Sequence, residues 1–254
     1  MKGRLFLVPT PLDHGCDEQT PLDEVLPLGT IKKAAAIACW VSENAKSTRA
    51  FLKRVDALVP LAQPIQAQQI TELPRELHKK GDHAGAARFD ARPLLAPALQ
   101  GQDVGLISEA GMPAVADPGS SVVRAAHQLG IEVLPLTGPV SLLLALAASG
   151  LNGQNFAFTG YLPQDASART TQIQQISRAV QQSGQTRIVI ETPYRNQVLL
   201  EALLSGLDGQ LRLCVASGLT LPDADGARSA SVAEWRQARW PVTPKAPAVF
   251  LIGR

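Results

Sequence analysis

Aromatic residues make up only 4% of this 254-residue chain. That scarcity argues against a surface built on base-stacking platforms. Cysteine is scarce as well. Cys16, Cys39 and Cys214 are odd in number and widely spaced, so they suggest neither a disulfide framework nor a metal-ligand set. A reducing cytoplasm is the simplest expectation. Neither sign of charge is in excess: 24 Lys and Arg against 22 Asp and Glu leave a net charge of +2. This balance excludes a dominant basic coat for nucleic acid, though not a local patch. Long apolar runs are missing too. The most apolar stretch, Val140 to Ala148, falls far short of the roughly 20 residues a spanning helix needs, so no membrane partner is expected. Met1 to Pro11 has a short apolar stretch and no small-residue cleavage site, unlike a secretory leader.

Several chemistries lack their signatures. His14, His78, His83 and His127 show no H-x-x-x-H or H-E-x-x-H spacing, so no metal site is expected. There is no G-x-S-x-G elbow for a serine nucleophile. No phosphate loop and no G-x-G-x-x-G after a strand is present. The chain does have 45% hydrophobic and 18% charged residues, which rules out disorder as a whole. Its length allows one large or two modest domains.

The pattern along the chain alternates strands and helices. Arg4 to Val8 is a short apolar strand ended by Pro9 and Pro11. Ala34 to Val41 reads as a helix end running into a strand. Ser47 to Ala57 places Phe51, Leu52 and Val55 at helical spacing. Gln63 to Gln69 has little apolar pattern, and Arg75 to Arg92 reads as a loop with a short helix. Asp103 to Ser108 is a buried strand, Ser120 to Leu129 a helix capped by Gly130, and Ile131 to Leu136 another strand. An apolar helix follows over Val140 to Ser149. Gly and Asn cluster at Gly150 to Asn155, which marks a boundary. Beyond it come strands at Phe156 to Thr159, Arg187 to Glu191, Leu211 to Ser217 and Val249 to Ile252. Helices are expected over Ser167 to Ser183 and after Pro193. The rhythm predicts an α/β protein with a parallel, helix-covered sheet.

Five segments at strand ends carry candidate chemistry. Ile107 to Gly119 combines Gly111, Pro113, Pro118 and Gly119 with the carboxylates Glu109 and Asp117. Ligands in open α/β sheets bind at the carboxyl ends of strands, and glycine lets backbone approach them closely. A tight connection without a ligand explains the same residues. Leu136 to Ser141 leads a strand into a helix whose first amides suit a polar ligand group; a plain helix start is the alternative. Ser42 to Phe51 puts Glu43 at a strand end with Lys46 and Arg49 beyond it. A carboxylate beside two cations suits activation of a hydroxyl or clamping of a phosphate, but a solvated helix start gives the same pattern. Gly160 to Pro163 and Glu191 to Arg195 each place a Tyr and a Pro after a strand, and each alone reads as a turn.

Taken in order, the five segments resemble the tetrapyrrole methylase superfamily of S-adenosylmethionine-dependent methyltransferases. Within it they resemble the ribosomal RNA small subunit methyltransferase I branch, which methylates a cytidine 2′-hydroxyl. The family's opening T-P-I-G-N is matched by Thr10-Pro11-Leu12, with Asp13-His14 in place of Gly-Asn. Its A-E-D-T-R-H-T-R is similar to Ser42 through Arg49, with Asn44 where the family has Asp. Its S-D-A-G-T-P-L-I-S-D-P-G is similar to Ser108 through Gly119, and P-G-P-S-A to Thr137 through Ser141. G-F-L-P corresponds to Gly160 through Pro163 and E-S-P-H-R to Glu191 through Arg195. The family's A-R-E-L-T-K is replaced by Ala216 through Leu221, which lacks the Arg, Glu and Lys. The polar substrate-side positions therefore diverge more than the cofactor-side backbone motifs, as in a divergent paralogue.

The resemblance implies two α/β domains, residues 1–150 and 151–254, with the cofactor in a cleft between them, and a homodimer. It implies S-adenosylmethionine as the cofactor. Pro11, Glu109, Gly111, Met112, Pro113, Val115 and Ala116 would line one side of it, and Val140, Ser141, Thr192 and Ala216 the rest. Glu43 would act as base or orienter, with Lys46 and Arg49 steering a phosphate. Lys53, Arg54, Arg75, Lys79, Lys80, Arg88 and Arg92 would extend a basic path for ribosomal RNA or the small subunit, although a solvated surface explains the same residues; DNA is not expected. The alternatives are a tetrapyrrole or other small-molecule acceptor, or a cofactor-binding module without catalysis.

Overall fold

A computed structural model describes residues 1–13, 15–16, 18–74, 82, 89–222, 226–238, 240 and 247–254. The chain divides into two compact units. One comprises Met1–Gly15 and Thr20–Val140, the other Cys16–Gln19 and Ser141–Arg254. The division falls before the Gly150 to Asn155 cluster that the sequence marked. The reason is the helix Ser141–Ser149, which packs on the sheet of the second unit. The Gly and Asn cluster is the turn between that helix and the next strand.

The first unit holds five strands: β1 (Leu5–Val8), β2 (Cys39–Ser42), β3 (Gln69–Glu72), β4 (Val104–Ile107) and β5 (Val133–Pro135). They lie in the order β3-β2-β4-β1-β5, and every pairing is parallel. β2 and β4 are buried at every position, as expected of strands covered on both faces. Gly105 leaves room for a neighbour: a Cβ there would lie 2.5 Å from the Trp40 ring. The Trp40 indole in turn donates to Gln68 Oε1 at 2.9 Å.

Helices cover the two faces in a fixed pattern. Leu28–Ala36 and Ala45–Asp56, which follow β1 and β2, bury Ile31, Ala34, Leu52 and Val55 with Phe6, Val8 and Trp40. Ser120–Gln128, which follows β4, buries Val122, Ala125 and Ala126 on the opposite face with Leu5, Val104 and Leu106. β1 and β4 are neighbours, yet their chains leave to opposite faces. Their carboxyl ends therefore form the switch point at which open α/β sheets hold ligands.

The second unit holds β6 (Phe156–Gly160), β7 (Thr186–Glu191), β8 (Arg212–Ser217), β9 (Gly226–Ser231) and β10 (Ala248–Gly253). Their order is β6-β7-β10-β8-β9, with β6 and β7 parallel and the other pairings antiparallel. Ala166–Ser183, Asn196–Gly206 and Val232–Ala238 bury Ile173, Val180, Leu203 and Trp235 against Val189, Leu213 and Phe250. Asp165 caps the first of these helices by accepting from the Ala168 amide, and Gly184 ends it at φ 66°. Each unit is thus α/β in architecture. Two strands had no clear apolar pattern in the sequence: β3, and β9 with its small residues GARSAS. No helix among the described residues is long and apolar enough to cross a membrane.

Gly138 sits where the loop after β5 meets the loop after β1. A Cβ there would lie 2.3 Å from Pro9 Cγ and 2.9 Å from Leu26 Cδ2. Gly138→Ala is expected to destabilise the protein by about 1–3 kcal/mol through overpacking. Gly29→Ala, at a helical site with nothing within 4 Å of the added Cβ, is expected to stabilise it by up to about 1 kcal/mol. Chemical unfolding of the two variants beside wild type checks both signs.

Candidate functional site

The loop after β4, Ser108 to Gly119, is tied on both sides. Toward β1, the Thr10 amide donates to the Gly111 carbonyl at 2.9 Å and the Gly111 amide returns a bond at 3.1 Å. Gly111 adopts φ 75°, which favours glycine. Toward β2, the Glu43 amide donates to the Ile107 carbonyl at 3.2 Å. Glu43 Oε2 accepts from the Glu109 amide at 3.1 Å. The start of the loop is therefore fixed by two neighbouring strand ends.

The middle of the loop is strained. Ala114 and Ala116 both adopt left-handed backbone, with φ 65° and 63°. For an L-residue this costs roughly 1–2 kcal/mol each. Val115 between them is exposed and Met112 half-buried, so the loop presents apolar surface. Strain held at a strand end is a feature of ligand-binding loops. Gly119 closes the loop at φ 132°; a Cβ there would lie 3.0 Å from Leu106 Cδ2 and 3.4 Å from the Ala114 nitrogen.

Three carboxylates gather at these strand ends. Burial raises the Asp117 carboxyl to about 7. The negative charge of Glu43 adds to the rise, as that of Glu109 does more weakly, while a hydrogen bond with Ser108 opposes it. Glu43 and Glu109 were candidates from the sequence. Asp117 was visible only as a carboxylate in the same loop; its nearness to Glu43 and Glu109, with the raised carboxyl, makes it a further candidate.

The helix start beyond Glu43 is saturated. Asn44 caps Ala45–Asp56 by accepting from the Lys46 and Ser47 amides, at 2.9 and 3.4 Å. Glu72 Oε1 takes the Ala45 amide at 2.7 Å. Asn44 therefore does the capping that an Asp there would do. Ser42 and Thr48 bond through their hydroxyls at 2.6 Å beneath it. Lys46 and Arg49 are exposed on this helix, and one Arg49 nitrogen donates to the Ala45 carbonyl at 3.4 Å.

The remaining expected residues divide between the units. Pro11 and Pro113 are buried, Glu109 and Val140 half-buried, and Ala116 exposed, all in the first unit. The loop before Val140 is anchored by the Thr30 hydroxyl, which donates to the Thr137 carbonyl at 2.7 Å. Ser141, Thr192 and Ala216 stand in the second unit. Thr192 donates its amide to Glu191 Oε1 at 2.9 Å, and Glu191 Oε2 pairs with Arg195 at 3.2 Å. The Ala216 side chain is fully buried in β8, so it offers no surface to a ligand.

Two of the described members of the expected basic path are in ion pairs. Arg54 Nη1 donates to both carboxylate oxygens of Asp13, at 3.2 and 2.9 Å, and Nη2 donates to the Thr20 carbonyl at 2.7 Å. Asp13 is thereby tied to the helix Ala45–Asp56. Arg92 is paired with Asp90 at 2.8 Å. Lys53 is exposed. Arg75, Lys79, Lys80 and Arg88 lie outside the described residues, as do His14, His78 and His83.

Residues 28–229 match the family model for tetrapyrrole (corrin/porphyrin) methylases. The ribosomal RNA small subunit methyltransferase I of Pseudomonas aeruginosa is 33% identical over 224 residues, covering 86% of this chain and 67% of that protein. The protein of the same name from Escherichia coli O157:H7 is 29% identical over 219 residues, 86% of this chain and 66% of its own. That from Mesorhizobium japonicum is 40% identical over 132 residues, 52% and 44% of the two chains. The matches thus span two thirds or less of the relatives' length. Among solved structures, uroporphyrin-III C-methyltransferase from Thermus thermophilus complexed with S-adenosylhomocysteine superposes with a TM-score of 0.53 at 19% identity, over 99% of this chain and 98% of that one. A conserved hypothetical protein from Aeropyrum pernix gives 0.59 at 18% identity, over 100% and 86%. These two likenesses show the fold.

The raised Asp117 carboxyl has a consequence for stability. The folded protein keeps the proton at pH values where the unfolded chain has lost it. The contribution of Asp117 to stability is therefore fully present below the ordinary aspartate range, is lost as pH rises toward about 7, and stays lost above. Asp117→Asn is expected to remove this downward contribution. Urea midpoints of wild type and variant from pH 4 to 8 check it: the wild-type midpoint should fall relative to that of the variant across the window. Parallel curves would show that Asp117 titrates normally.

Proposed function

Because the chain belongs to the tetrapyrrole (corrin/porphyrin) methylase family, we propose that it is an S-adenosylmethionine-dependent methyltransferase acting on a ribose 2′-hydroxyl of ribosomal RNA. The observation that carries the reading is the tied, strained β4 loop with Glu43, Glu109 and Asp117 at the switch point of a parallel sheet. The named activity of the Pseudomonas relative, at 33% identity over most of this chain, supports the acceptor class. We further propose that the protein works in the cytoplasm as a homodimer.

The residues present fit the donor. S-adenosylmethionine carries a sulfonium and an ammonium, and the rim offers carboxylates to both. The exposed Val115 and half-buried Met112 suit an apolar ring face, and the bend at Gly111 brings backbone to the rim. Pro11, Pro113, Ala116 and Val140 complete the lining that the first unit offers. Bound there, the cofactor would supply an electrophilic methyl group. The chain's part is alignment and exclusion of water.

A ribose hydroxyl is weakly acidic, so a proton acceptor helps. Glu43 is assigned that work. Its carboxylate is oriented by the Glu109 amide. The neighbouring Asp117, raised to about 7, carries less than a full charge beside Glu43 near neutrality. Lys46 and Arg49 are the exposed cations one helical turn beyond, suited to a phosphate of the acceptor strand.

A small-molecule acceptor is the second reading. It is favoured by the ion pairs that occupy Arg54 and Arg92, which leave fewer cations for RNA. Calorimetry with S-adenosylhomocysteine tests the donor: binding is expected, and its absence at high micromolar ligand would end the methyltransferase reading. Transfer of labelled methyl from S-adenosylmethionine to small ribosomal subunits from a strain deleted for this activity tests the acceptor. Glu43→Gln is expected to lower kcat by about 100-fold while leaving donor affinity within a few-fold. Labelling of small molecules but never of RNA would favour the second reading.

A further inference from the structure

The β4 loop is held at a third place, by a residue far from it in sequence. Asp82 is 2% exposed. Its Oδ2 accepts from the Gly119 amide at 3.0 Å and the Ser121 amide at 2.6 Å, and its Oδ1 from the Ser120 hydroxyl at 2.6 Å. These groups are the end of the loop and the start of the helix Ser120–Gln128. A helix is ordinarily capped by the side chain of the residue just before it. Here that residue is Gly119, whose φ of 132° and crowding by Leu106 leave no room for a side chain. The capping carboxylate is supplied from 37 residues upstream instead.

The consequence reaches the strained backbone. The Cβ position of Gly119 lies 3.4 Å from the Ala114 nitrogen and 3.5 Å from the Ala114 Cβ. Asp82 thus fixes Gly119, and Gly119 lies against Ala114, the first of the two left-handed alanines. Burial pushes the Asp82 carboxyl up, but hydrogen bonds from Ser120, Ser121 and Gly119 outweigh it and hold it below the ordinary aspartate value. The carboxylate form is therefore the one this pocket is built for.

We propose that Asp82 is a positioning residue for the methyl-donor site, holding the Ala114–Ala116 turn in the strained conformation that the donor meets by fixing the far end of its loop. The proposal rests on the methyltransferase reading of that loop. Asp82 touches neither donor nor acceptor in this role. It lowers the conformational cost of binding, as preorganising contacts do.

Hydrogen exchange and calorimetry together test it, on the full chain. Asp82→Ala is expected to speed exchange of the amides between residues 112 and 117 and to weaken S-adenosylhomocysteine binding by about tenfold. Asp82→Asn, which keeps an acceptor oxygen, should recover part of both. Ser120→Ala, which removes one of the three contacts, should show a smaller effect and serves if Asp82→Ala does not fold. Leu203→Ala, a core truncation in the second unit, is the control for general destabilisation. At a temperature well below its melting transition it should change neither readout. If the 112–117 amides exchange as in wild type when Asp82 is removed, the proposal is overturned. Wild-type binding with unchanged affinity in Asp82→Ala overturns the proposal alone. A wild-type protein that binds no S-adenosylhomocysteine overturns the methyltransferase reading, and the donor role of Asp82 with it.

Discussion

The pair of hydrogen bonds exchanged between Thr10 and Gly111 is the constraint on which the site depends. β1 and β4 are parallel neighbours whose chains leave to opposite faces of the sheet. Past the last ladder bond they would splay apart. The exchange holds them together for one more step, and it requires Gly111 to turn back at positive φ. Everything that follows in the β4 loop starts from that fixed point. The bond from the Glu109 amide to Glu43 pins the same loop toward β2. A rim with two anchors at its start has little freedom left to lose on binding.

The other loops of the rim are built by close contact. Gly138 lets the β5 loop lie directly on Pro9, and the Thr30 hydroxyl holds the Thr137 carbonyl. Arg54 and Asp13 fasten the β1 loop to the helix Ala45–Asp56. Each contact is modest alone, but they converge on neighbouring strand ends. That convergence is how two left-handed alanines persist in a short loop: strain survives where the surroundings over-determine the backbone. The same crowding removes water from Asp117, so the geometry that fixes the loop also sets its protonation.

Strands covered on both faces were legible in the sequence, because burial makes them continuous apolar runs; Leu5–Val8 and Val104–Ile107 are of this kind. β3 was not, since it lies at the sheet edge and three of its four residues are exposed. β9 is an edge strand of small and polar residues. The candidate rim was legible because glycine, proline and carboxylates crowd at strand ends. Asn44 resembles a substrate-side change in the sequence, but its side chain caps a helix, which Asn and Asp do equally well. Asp82 carried no signal at all. A lone aspartate in a polar stretch has no periodicity, and its partners are brought to it only by the tertiary fold.

The net charge of +2 acquires a structural meaning. Several cations are paired within the protein: Arg4 with Asp103 and Arg92 with Asp90 at the surface, Arg54 with Asp13 and Arg195 with Glu191 more deeply. Lys46, Arg49 and Lys53 are instead exposed at helical spacing along Ala45–Asp56. That stripe begins just past Glu43. A polyanion approaching this helix would meet three exposed cations at one place. Weak general attraction with a local cationic guide suits an acceptor recognised by shape, with its phosphates serving for register. The three exposed cations of this helix are thus placed to bring a strand toward the carboxylate rim.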